Sequence, residues 1–331
     1  MIDQPDLTVC VPVFNGAAFV GEALESLRRQ TYARFKVLVS VDPSDDPSLA
    51  VCEVWAGYDR FEVVDQPERL GWPGNVNWLL RRVDTPLTCV ILHDDWVAPN
   101  YIELLVARLQ REPNAVVAYG DIHGFGTIDL EIVQPSLTGN SFDRVFTFLL
   151  DRHAATEWRG VIRTDAIRRT RLLRHDADGF AADTLWLLEL AALGEFVREP
   201  GVVYHKRYRA GSITAGWMVR SPAQAALDWV DHSVACLEAA LAAGDWTPPQ
   251  RQQLAAAAMA RAVRFVHAAR HDAPAPPDLA GLLVRLAHVA LRAAGMLPPG
   301  TPLPNEAELP PPLRAWTDMM LGRLLPPSSE R

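Results

Sequence analysis

The chain has little cysteine, no excess of positive charge and no long apolar run, and each shortage excludes a class of protein. Its four cysteines show no paired spacing, so neither a disulfide framework nor a zinc site is predicted. The formal net charge of −8 at pH 7 disfavours a nucleic-acid partner, because binding to phosphate backbones depends on clustered positive charge. No uninterrupted apolar segment of the sequence is long enough to span a bilayer.

The chain does contain enough apolar sequence for a large core. Hydrophobic residues make up 49% of its 331 residues, which argues against disorder and allows one large domain with an appendage, or two domains. A predicted strand begins within the first ten residues and leaves no room for a signal peptide. We therefore expect a cytoplasmic protein, with peripheral contact at the inner membrane face left open.

Apolar runs and helical patterns alternate through the first 121 residues. Short apolar runs at 7–13, 35–41, 61–64 and 89–92 predict buried strands, and helical patterns follow the first and third of them. Such alternation is typical of an α/β fold with a doubly wound, Rossmann-like, mostly parallel sheet. Ligands bind such sheets at the carboxyl ends of the strands.

The most informative stretch is His93-Asp94-Asp95, at the end of the fourth predicted strand. Two adjacent carboxylates at a strand end are costly unless a cation or hydrogen-bond donors neutralise them. Hard divalent ions favour oxygen ligands and commonly join one or two carboxylates to substrate phosphates. An ordinary helix cap is the alternative interpretation, because Asp-Asp before a helix start is also common.

Several short motifs accompany this stretch in a fixed order. They are Val11-Pro-Val-Phe-Asn15, Gln30-Thr-Tyr32, Ser40-Val-Asp42-Pro-Ser44, Gly71 to Asn77, His93-Asp94-Asp95 and Ala182-Asp183. Taken together they resemble the GT-A glycosyltransferases of family 2, and the resemblance extends to near Thr214, about two thirds of the chain. It implies a GT-A fold and an inverting enzyme that uses a nucleotide-diphosphate sugar, with uracil as the usual base.

The resemblance also implies roles for individual residues. In a DXD-like motif, Asp94 corresponds to the ligand of a divalent metal, Mn²⁺ or Mg²⁺, that bridges the diphosphate, and Asp95 to a second ligand. Asp42 corresponds to the carboxylate that accepts a hydrogen bond from the nucleobase, and Asp183 to the catalytic base. The other nucleotide-sugar-binding residues are Pro12, Val13, Asn15, Asn77, His93 and Arg207, and the acceptor-side residues are Trp158 and Arg159.

Two of these carboxylates also have structural interpretations. Asp42 is placed to cap the turn that follows it, a common use of Asp. Asp183 stands at the start of a helix predicted over residues 183–193 and fits an N-cap equally well. The helix dipole is expected to lower the pKa of Asp183 and to weaken its basicity.

The chain departs from the family pattern at two positions near the expected phosphates. Val76 stands where the family often has Arg, and Arg209 stands where many members have a His that completes the metal site. These departures shift neutralisation of the diphosphate toward the metal or toward Arg207 and Arg209. Weak metal binding, or stabilisation of the leaving group by Arg209, follows as an alternative to the usual metal site.

Composition changes after residue 218. We predict a GT-A domain over 1–218, with a nucleotide-binding half over 1–121 and an acceptor half over 122–218 that begins irregularly. The Ala/Pro-rich remainder, 219–331, predicts a helical appendage packed on the catalytic domain or against another subunit of a homo-oligomer. Its helices are expected at 222–243, 248–271, 277–294 and 312–325, with stiff linkers at 273–277 and 297–304.

The sequence therefore predicts an inverting glycosyltransferase acting in bacterial surface glycan or glycoconjugate synthesis. Its partners would be a nucleotide-diphosphate sugar, UDP-linked by family default, and a glycan, lipid-linked or small-molecule acceptor. A catalytically silent GT-A module is one alternative, although such a module would not need Asp42, Asp94 and Asp183 together. A nucleotidyltransferase is another, although it would normally show a Gly-rich, basic loop, which residues 11–16 do not form.

Overall fold

The computed structural model describes residues 5–150, 155–174, 179–270, 278–298, 300–302 and 314. The chain divides into two compact units, Met1–Gly139 with His153–Ser212, and Asn140–Arg152 with Ile213–Arg331. The predicted linkers at 273–277 and 297–304 and the helix predicted at 312–325 lie wholly or partly outside the described residues.

The first unit is built on one mixed sheet. Within the described residues its strands are β1 (Leu7–Val13), β2 (Phe35–Val41), β3 (Phe61–Asp65), β4 (Leu87–Val90), β5 (Trp96–Val97), β6 (Ala115–Gly126), β7 (Leu130–Ile132), β8 (Val161–Arg163) and β9 (Glu195–Tyr208). They lie in the order 3-2-1-4-8-6-9-5, and β7 pairs with the outer part of β6.

Helices connect these strands and form the second unit. In chain order they are α1 (Val20–Arg28), α2 (Ser48–Glu53), α3 (Gly71–Arg82), α4 (Tyr101–Arg111), α5 (Ser141–Leu150), α6 (Thr164–Ile167), α7 (Ala182–Leu193), α8 (Ile213–Met218), α9 (Pro222–Ala242), α10 (Pro248–Arg270) and α11 (Leu279–Ala293). Helices α5 and α8 to α11 belong to the second unit.

The parallel half of the sheet fixes where the candidate site lies. Strand β1 pairs in parallel with both β2 and β4, and β2 pairs in parallel with β3. All seven residues of β1 are buried, as expected of a central parallel strand. The carboxyl ends of β1, β2 and β4 therefore meet at one edge of the sheet. The α/β class and the parallel core predicted from the sequence are confirmed.

Strand β9 joins the distant second half of this unit to the same edge. It runs parallel to β6, and near its end His205 lies opposite Trp96 and Tyr204 opposite Val97 in antiparallel β5. Since β5 follows directly on Asp95, this pairing brings residues 204–209 beside the loop after β4.

The middle of the chain differs from the sequence prediction. An irregular segment is predicted from residue 122, but β6 continues to Gly126 because its outer residues pair with Val203 to Tyr208 of β9. That pairing joins residues about 80 positions apart, and the local composition of Gly and polar residues gives no sign of it. Helix α5 forms close to the predicted 142–150, but it groups with the C-terminal helices and not with the acceptor half.

The second unit is a packed set of helices. Helix α9 begins at Pro222, as predicted, and the Ser221 side chain caps it by accepting a hydrogen bond from the Gln224 N–H at 3.2 Å. Trp229 of α9 stacks on Phe265 of α10 with ring centroids 4.1 Å apart. Among the helices of the described ranges, none is long and apolar enough to cross a bilayer.

Candidate active site

The ends of β1, β2 and β4 do come together as the parallel pairing requires. The Asp42 N–H donates to the carbonyl of Val13 at 2.9 Å, which joins the end of β2 to the end of β1. On the other side, the His93 ring places its Nδ1 at 3.2 Å from the carbonyl oxygen of Pro12. The first strand-end loop therefore lies between Asp42 and His93, two of the predicted nucleotide-binding residues.

Asn15 shapes this loop from within. It adopts a left-handed conformation, with φ of 46°, and its side-chain oxygen accepts the N–H of Asp45 at 2.9 Å. Its own N–H donates to the Ser44 hydroxyl at 3.0 Å. Asn15 therefore fastens the first strand-end loop to the second. In the structure its side chain positions the loops that surround Asp42.

Asp42 is buried, with 1% of its surface exposed, and its two carboxylate oxygens differ. Oδ2 accepts the N–H of Gly71 at 3.0 Å, at the start of α3. Oδ1 is buried and has no hydrogen-bond partner among the described residues. Burial raises the pKa of Asp42, and the N–H groups of Leu70 and Gly71 and the charge of Arg69 oppose this shift. An unpaired buried acceptor costs free energy until a donor reaches it.

Two residues beside Asp42 were not singled out by the sequence. The Arg69 guanidinium lies over the ring of Phe14, with its Cζ 3.8 Å from the ring centroid. Phe14 belongs to the first strand-end loop, and Arg69 lies just before α3 and acts electrostatically on Asp42. An aromatic residue next to the Val-Pro-Val motif was the available signal for Phe14. Arg69 lacked one, because an exposed arginine in a loop is common.

The side chain of Asn77, which was predicted to face the nucleotide, bonds to the protein backbone in the structure. Both ends of its buried side-chain amide are used by one backbone segment: Nδ2 donates to the carbonyl of Leu173 at 2.8 Å, and Oδ1 accepts the N–H of Leu173 at 2.9 Å. The amide therefore fastens the loop after α6 to α3 through both of its ends. Asn75, two residues earlier, donates its Nδ2 to the carbonyl of Ser40 at 3.1 Å, while its Oδ1 is buried and has no partner among the described residues.

The imidazole ring of His93 lines the site and is neutral. Burial lowers its pKa, so the ring stays uncharged, and the short contact to the Pro12 carbonyl requires the proton on Nδ1. Nε2 is then an acceptor, and it is buried without a partner among the described residues. The ring packs directly against Gly16, where a Cβ would stand 2.5 Å from the His93 Cδ2.

This contact predicts that Gly16→Ala destabilises the protein by about 1–3 kcal/mol, as overpacking typically does. The His93 ring cannot move away without losing its bond to Pro12. Gly21→Ala is the matched control, because nothing lies within 4 Å of its added Cβ and Ala is preferred to Gly in a helix such as α1. Thermal unfolding should show a lower melting temperature for Gly16→Ala alone. Equal melting temperatures for the two variants would contradict the packing described here.

Asp94 and Asp95 are adjacent in sequence but differ in environment. Asp94 directs Oδ2 to the Nε of Arg209 at 3.1 Å and remains partly exposed. Asp95 is 2% exposed, and both of its oxygens are used: Oδ1 accepts the N–H of Arg207 at 2.7 Å, and Oδ2 accepts the Tyr204 hydroxyl at 2.7 Å. Asp95 therefore fastens β9 to the loop after β4. Its predicted role as a second metal ligand does not agree with this saturated position.

Arg207 is also held by the protein. Its Nε donates to the Asp94 carbonyl at 3.1 Å, and its Nη2 forms an ion pair with Glu22 of α1. The guanidinium lies over two aromatic rings, with Cζ 4.5 Å from the Phe125 centroid and 5.1 Å from the Phe19 centroid. The structure places Arg207 beside Asp94 and uses two of its nitrogens on protein acceptors, and its role in nucleotide binding stays a prediction.

Asp183 lies in a second part of the site, with Trp158 and Arg159. It is the second residue of α7, and the cap position belongs to Ala181, so the predicted N-cap role does not describe it. Its Oδ1 accepts the N–H of Thr184 at 2.9 Å. Burial raises the pKa of Asp183, while Arg159, the Thr184 amide, Lys206 and Trp158 oppose this shift.

The direction of that pKa shift differs from the expectation that the helix dipole would lower it. Desolvation of the Asp183 carboxylate is the largest cause, and it outweighs the amides at the start of α7. A raised pKa strengthens a carboxylate as a base. The environment therefore suits proton abstraction better than the sequence alone indicated.

A buried arginine and a half-buried lysine accompany this carboxylate. Arg159 is 6% exposed and lies between carboxylates, with Nε 4.0 Å from the Asp95 Oδ2 and a charge that also acts on Asp183. Burial, followed by the nearby Arg159, lowers the pKa of Lys206. The sequence prediction included Arg159 but missed Lys206, because the strand pattern of residues 206–209 did not show which cations point inward.

Tryptophan rings complete this side. Trp158 is 2% exposed, and its ring centroid lies 6.3 Å from that of Trp72 at the start of α3. The backbone that leads to Asp183 passes tightly over Trp72, since a Cβ on Gly179 would lie 2.5 Å from the Trp72 Nε1. Gly179 also has φ of +66°, so a larger residue there would suffer both backbone strain and a clash with Trp72.

Comparison with protein families gives an independent view of the same residues. A model described as glycosyl transferase family 2 matches residues 8–177, just over half of the 331 residues. The matched segment contains Asp42, Asp94 and Arg159 and ends before Asp183.

Curated relatives match parts of the chain. Glycosyltransferase GlyA of Streptococcus pneumoniae serotype 4 is 24% identical over 231 residues, which are 66% of this chain and 32% of GlyA. Glycosyltransferase GlyG of the same organism is 27% identical over 124 residues, which are 37% of this chain and 41% of GlyG. The chain therefore covers about a third of GlyA and two fifths of GlyG.

Solved structures share the fold. S. aureus TarS 1–349 in complex with UDP-GlcNAc gives a TM-score of 0.68 at 16% identity, covering 88% of this chain and 84% of that chain. Mannosyltransferase PcManGT from Pyrobaculum calidifontis, in complex with GDP-Man and Mn²⁺, gives 0.54 at 20% identity, covering 97% and 85%. The likeness confirms the GT-A-like fold predicted from the sequence.

Proposed function

Because this chain belongs to glycosyl transferase family 2, we propose that it is an inverting enzyme that transfers a sugar from a uridine diphosphate donor to an acceptor hydroxyl. Its membership and its glycosyltransferase relatives establish a transferase and argue against the silent module and the nucleotidyltransferase. A UDP-GlcNAc complex among the fold neighbours supports a nucleotide-sugar donor. The proposal includes a role in bacterial surface glycan or glycoconjugate synthesis, and the relatives GlyA and GlyG are bacterial glycosyltransferases.

One observation carries the proposal: the Oδ1 of Asp42 is buried and has no hydrogen-bond partner in the part of the chain that the structure describes. The two N–H groups at the start of α3 act on this carboxylate and hold it in place, while Oδ1 remains as an acceptor. The imide N–H of uracil is a donor of the required kind, and a base stacked near Phe14 would bring it within reach. Such a contact would relieve the cost of the unpaired oxygen.

Asp183 is the proposed general base. In the reaction, the acceptor oxygen forms a bond to the anomeric carbon, while the bond from that carbon to the diphosphate oxygen breaks. The acceptor proton passes to the Asp183 carboxylate, and the bonding electrons leave with the nucleoside diphosphate. Attack from the face opposite the diphosphate inverts the anomeric carbon. Burial of Asp183, which raises its pKa, supports its role as the base.

The expected divalent ion, Mn²⁺ or Mg²⁺ on Asp94 and Asp95, does not fit the residues present. Both oxygens of Asp95 are committed to Tyr204 and Arg207. Asp94 offers one carboxylate, and one of its oxygens already faces a cation, Arg209. Among the described residues, no group of three His, Cys, Asp or Glu side chains is arranged to hold a metal. The fold neighbour PcManGT was solved in complex with GDP-Man and Mn²⁺. The misfit concerns the side chains of this chain alone.

The donor proposal predicts that Asp42→Asn weakens binding of UDP by about tenfold or more, the equivalent of roughly 1.4 kcal/mol. An Asn must turn its oxygen toward Gly71 to keep that bond, so it presents an NH₂ donor where the base needs an acceptor. Calorimetric titration of UDP would measure the loss.

Asp45→Asn is the matched control for this variant. Asp45 is an exposed residue of the same loop, and its contact to Asn15 uses only its backbone N–H. It should bind UDP as the wild type does. Equal affinity in the Asp42→Asn and wild-type proteins, with both folded, would remove Asp42 from the base site.

A further inference from the structure

The charge balance at Asp94 differs from that of a metal site. Arg209 pairs with Asp94 at 3.1 Å, and the side chains are only 24% and 13% exposed. Ion pairs that are partly removed from water are screened less than pairs on the open surface. The position that a divalent ion would take at this carboxylate oxygen therefore already holds a positive charge.

Arg209 also has donors to spare, more of them than its neighbour Arg207. Its Nε is used by Asp94, and its two terminal nitrogens have no hydrogen-bond or ion partner within the described part of the chain. Arg207, by contrast, uses Nε on the Asp94 carbonyl and Nη2 on Glu22. Both guanidinium groups lie near the ring of Phe19, with Arg209 Cζ 4.9 Å from its centroid. The Phe19 ring therefore supports the Arg209 guanidinium from one side, and the terminal N–H groups of Arg209 remain available.

We propose that Arg209, oriented by Asp94 and supported by Phe19, takes the place of a divalent ion and neutralises the leaving nucleoside diphosphate. A planar guanidinium suits this task, because its N–H groups can bind two phosphate oxygens at once. An ion brought to the same oxygen of Asp94 would meet the like charge of Arg209. The inference rests on the proposed donor, and it makes binding and transfer independent of added metal.

The chemistry of the step balances without a metal. When the bond between the anomeric carbon and the diphosphate oxygen breaks, its electron pair leaves with the diphosphate, which gains one negative charge. The terminal N–H groups of Arg209 donate to the oxygens on which this charge develops. Asp183 receives the proton of the acceptor hydroxyl. Preorganised donors aimed at developing charge are commonly the largest contribution to catalysis.

The test is a calorimetric titration of UDP into the full chain, in EDTA and in Mn²⁺. The wild type is expected to bind with affinities that agree within about threefold in the two buffers. Arg209→Gln should lose about tenfold or more in EDTA, because it gives up hydrogen bonds from a charged donor, which are the stronger kind. Arg209→Lys should retain part of the affinity, because it keeps the charge but not the fork. Arg209→His should gain affinity on addition of Mn²⁺, because an imidazole is a metal ligand.

Arg198→Gln is the matched control. Arg198 lies in β9 and pairs with Asp121 at 2.6 Å, with side chains 26% and 17% exposed, so it is an ion pair of similar burial outside the candidate site. This variant should bind UDP as the wild type does. Melting curves of all the variants show whether each one is folded, and Arg209→Lys keeps the question decidable if Arg209→Gln is not.

Wild-type affinity that rises tenfold or more with Mn²⁺ would overturn the inference. Unchanged affinity of the folded Arg209→Gln variant in EDTA would do the same. A wild type that binds no UDP in either buffer gives a different result, because it refutes the proposed uridine donor itself. The two failures are therefore distinguishable in one set of titrations.

Discussion

Asp183→Asn is expected to reduce turnover by about 10²–10⁴-fold, the usual contribution of a positioned general base. Asn keeps the shape of the side chain and its Oδ1 can still accept the Thr184 N–H, but it cannot take a proton from the acceptor. Affinity for UDP should stay nearly unchanged, because this residue serves the acceptor. Steady-state kinetics with a melting curve would measure both effects.

The pH profile gives a second readout for the same variant. Burial raises the pKa of Asp183 above that of an exposed carboxyl, and the base must be deprotonated to act. Activity should therefore rise with pH through that raised pKa in the wild type. The Asn variant should lack this rise in its residual activity.

Asp165→Asn is a suitable control for Asp183→Asn. Asp165 is an exposed acid in the first turn of α6, so it shares the helix-start position without the burial or the neighbouring cations. It should leave turnover unchanged. A turnover of Asp183→Asn within about threefold of wild type would show that Asp183 is structural, since positioned bases contribute far more than that.

Asp95→Ala is expected to destabilise the protein by about 3–5 kcal/mol, the usual cost of removing one partner from a buried charged network. The change leaves the Tyr204 hydroxyl and the Arg207 N–H without their acceptor, and it removes a carboxylate beside buried Arg159. Asp95→Asn keeps one acceptor and should cost less. Denaturant unfolding monitored by circular dichroism would measure both variants.

The neighbouring Asp94 is the natural control for this effect. Asp94→Ala removes one partly exposed ion pair with Arg209 and should cost about 1 kcal/mol or less. It should nevertheless impair transfer, because Arg209 loses the group that orients it. Equal loss of stability in Asp94→Ala and Asp95→Ala would contradict the assignment of a structural role to Asp95 and a functional role to Asp94.

The fold could be predicted largely because its central strands are local features of the sequence. The run 35–41 is apolar along its whole length, and β2 occupies the same residues. Helix α7 begins one residue before the predicted start at Asp183. Buried parallel strands and apolar helices depend on the composition of neighbouring residues, which a sequence displays directly.

The sequence predictions that differ from the structure concern side chains whose partners lie in distant segments of the chain. Asp95 was predicted to bind metal, but its partner Tyr204 lies 109 positions away along the chain. Asn77 was predicted to face the nucleotide, but it binds the backbone of Leu173, 96 positions away. In each case a polar side chain near a strand or helix end could bind either a ligand or the protein. A distant segment supplies the protein partner, and no local sequence pattern shows that the two segments meet.

The direction of the pKa shift of Asp183 was predicted wrongly for the same reason. Its position at a helix start is visible in the sequence and favours a lowered pKa. The burial that reverses this direction comes from the way the unit folds around α7, with Trp158 and Arg159 brought in by the strand pairing of β8. Electrostatic environments therefore required the structure, whereas the identity of the carboxylate did not.

The most direct test of the central claim is the rate at which the chain releases UDP from a panel of UDP-sugars, with and without mixed glycan, lipid-linked and small-molecule acceptors. We expect release from at least one donor, acceleration by one acceptor class, and activity that persists in EDTA. Asp183→Asn should reduce that release by about 10²–10⁴-fold. No release from any UDP-sugar, or equal release by the wild type and the Asp183→Asn variant, would contradict it.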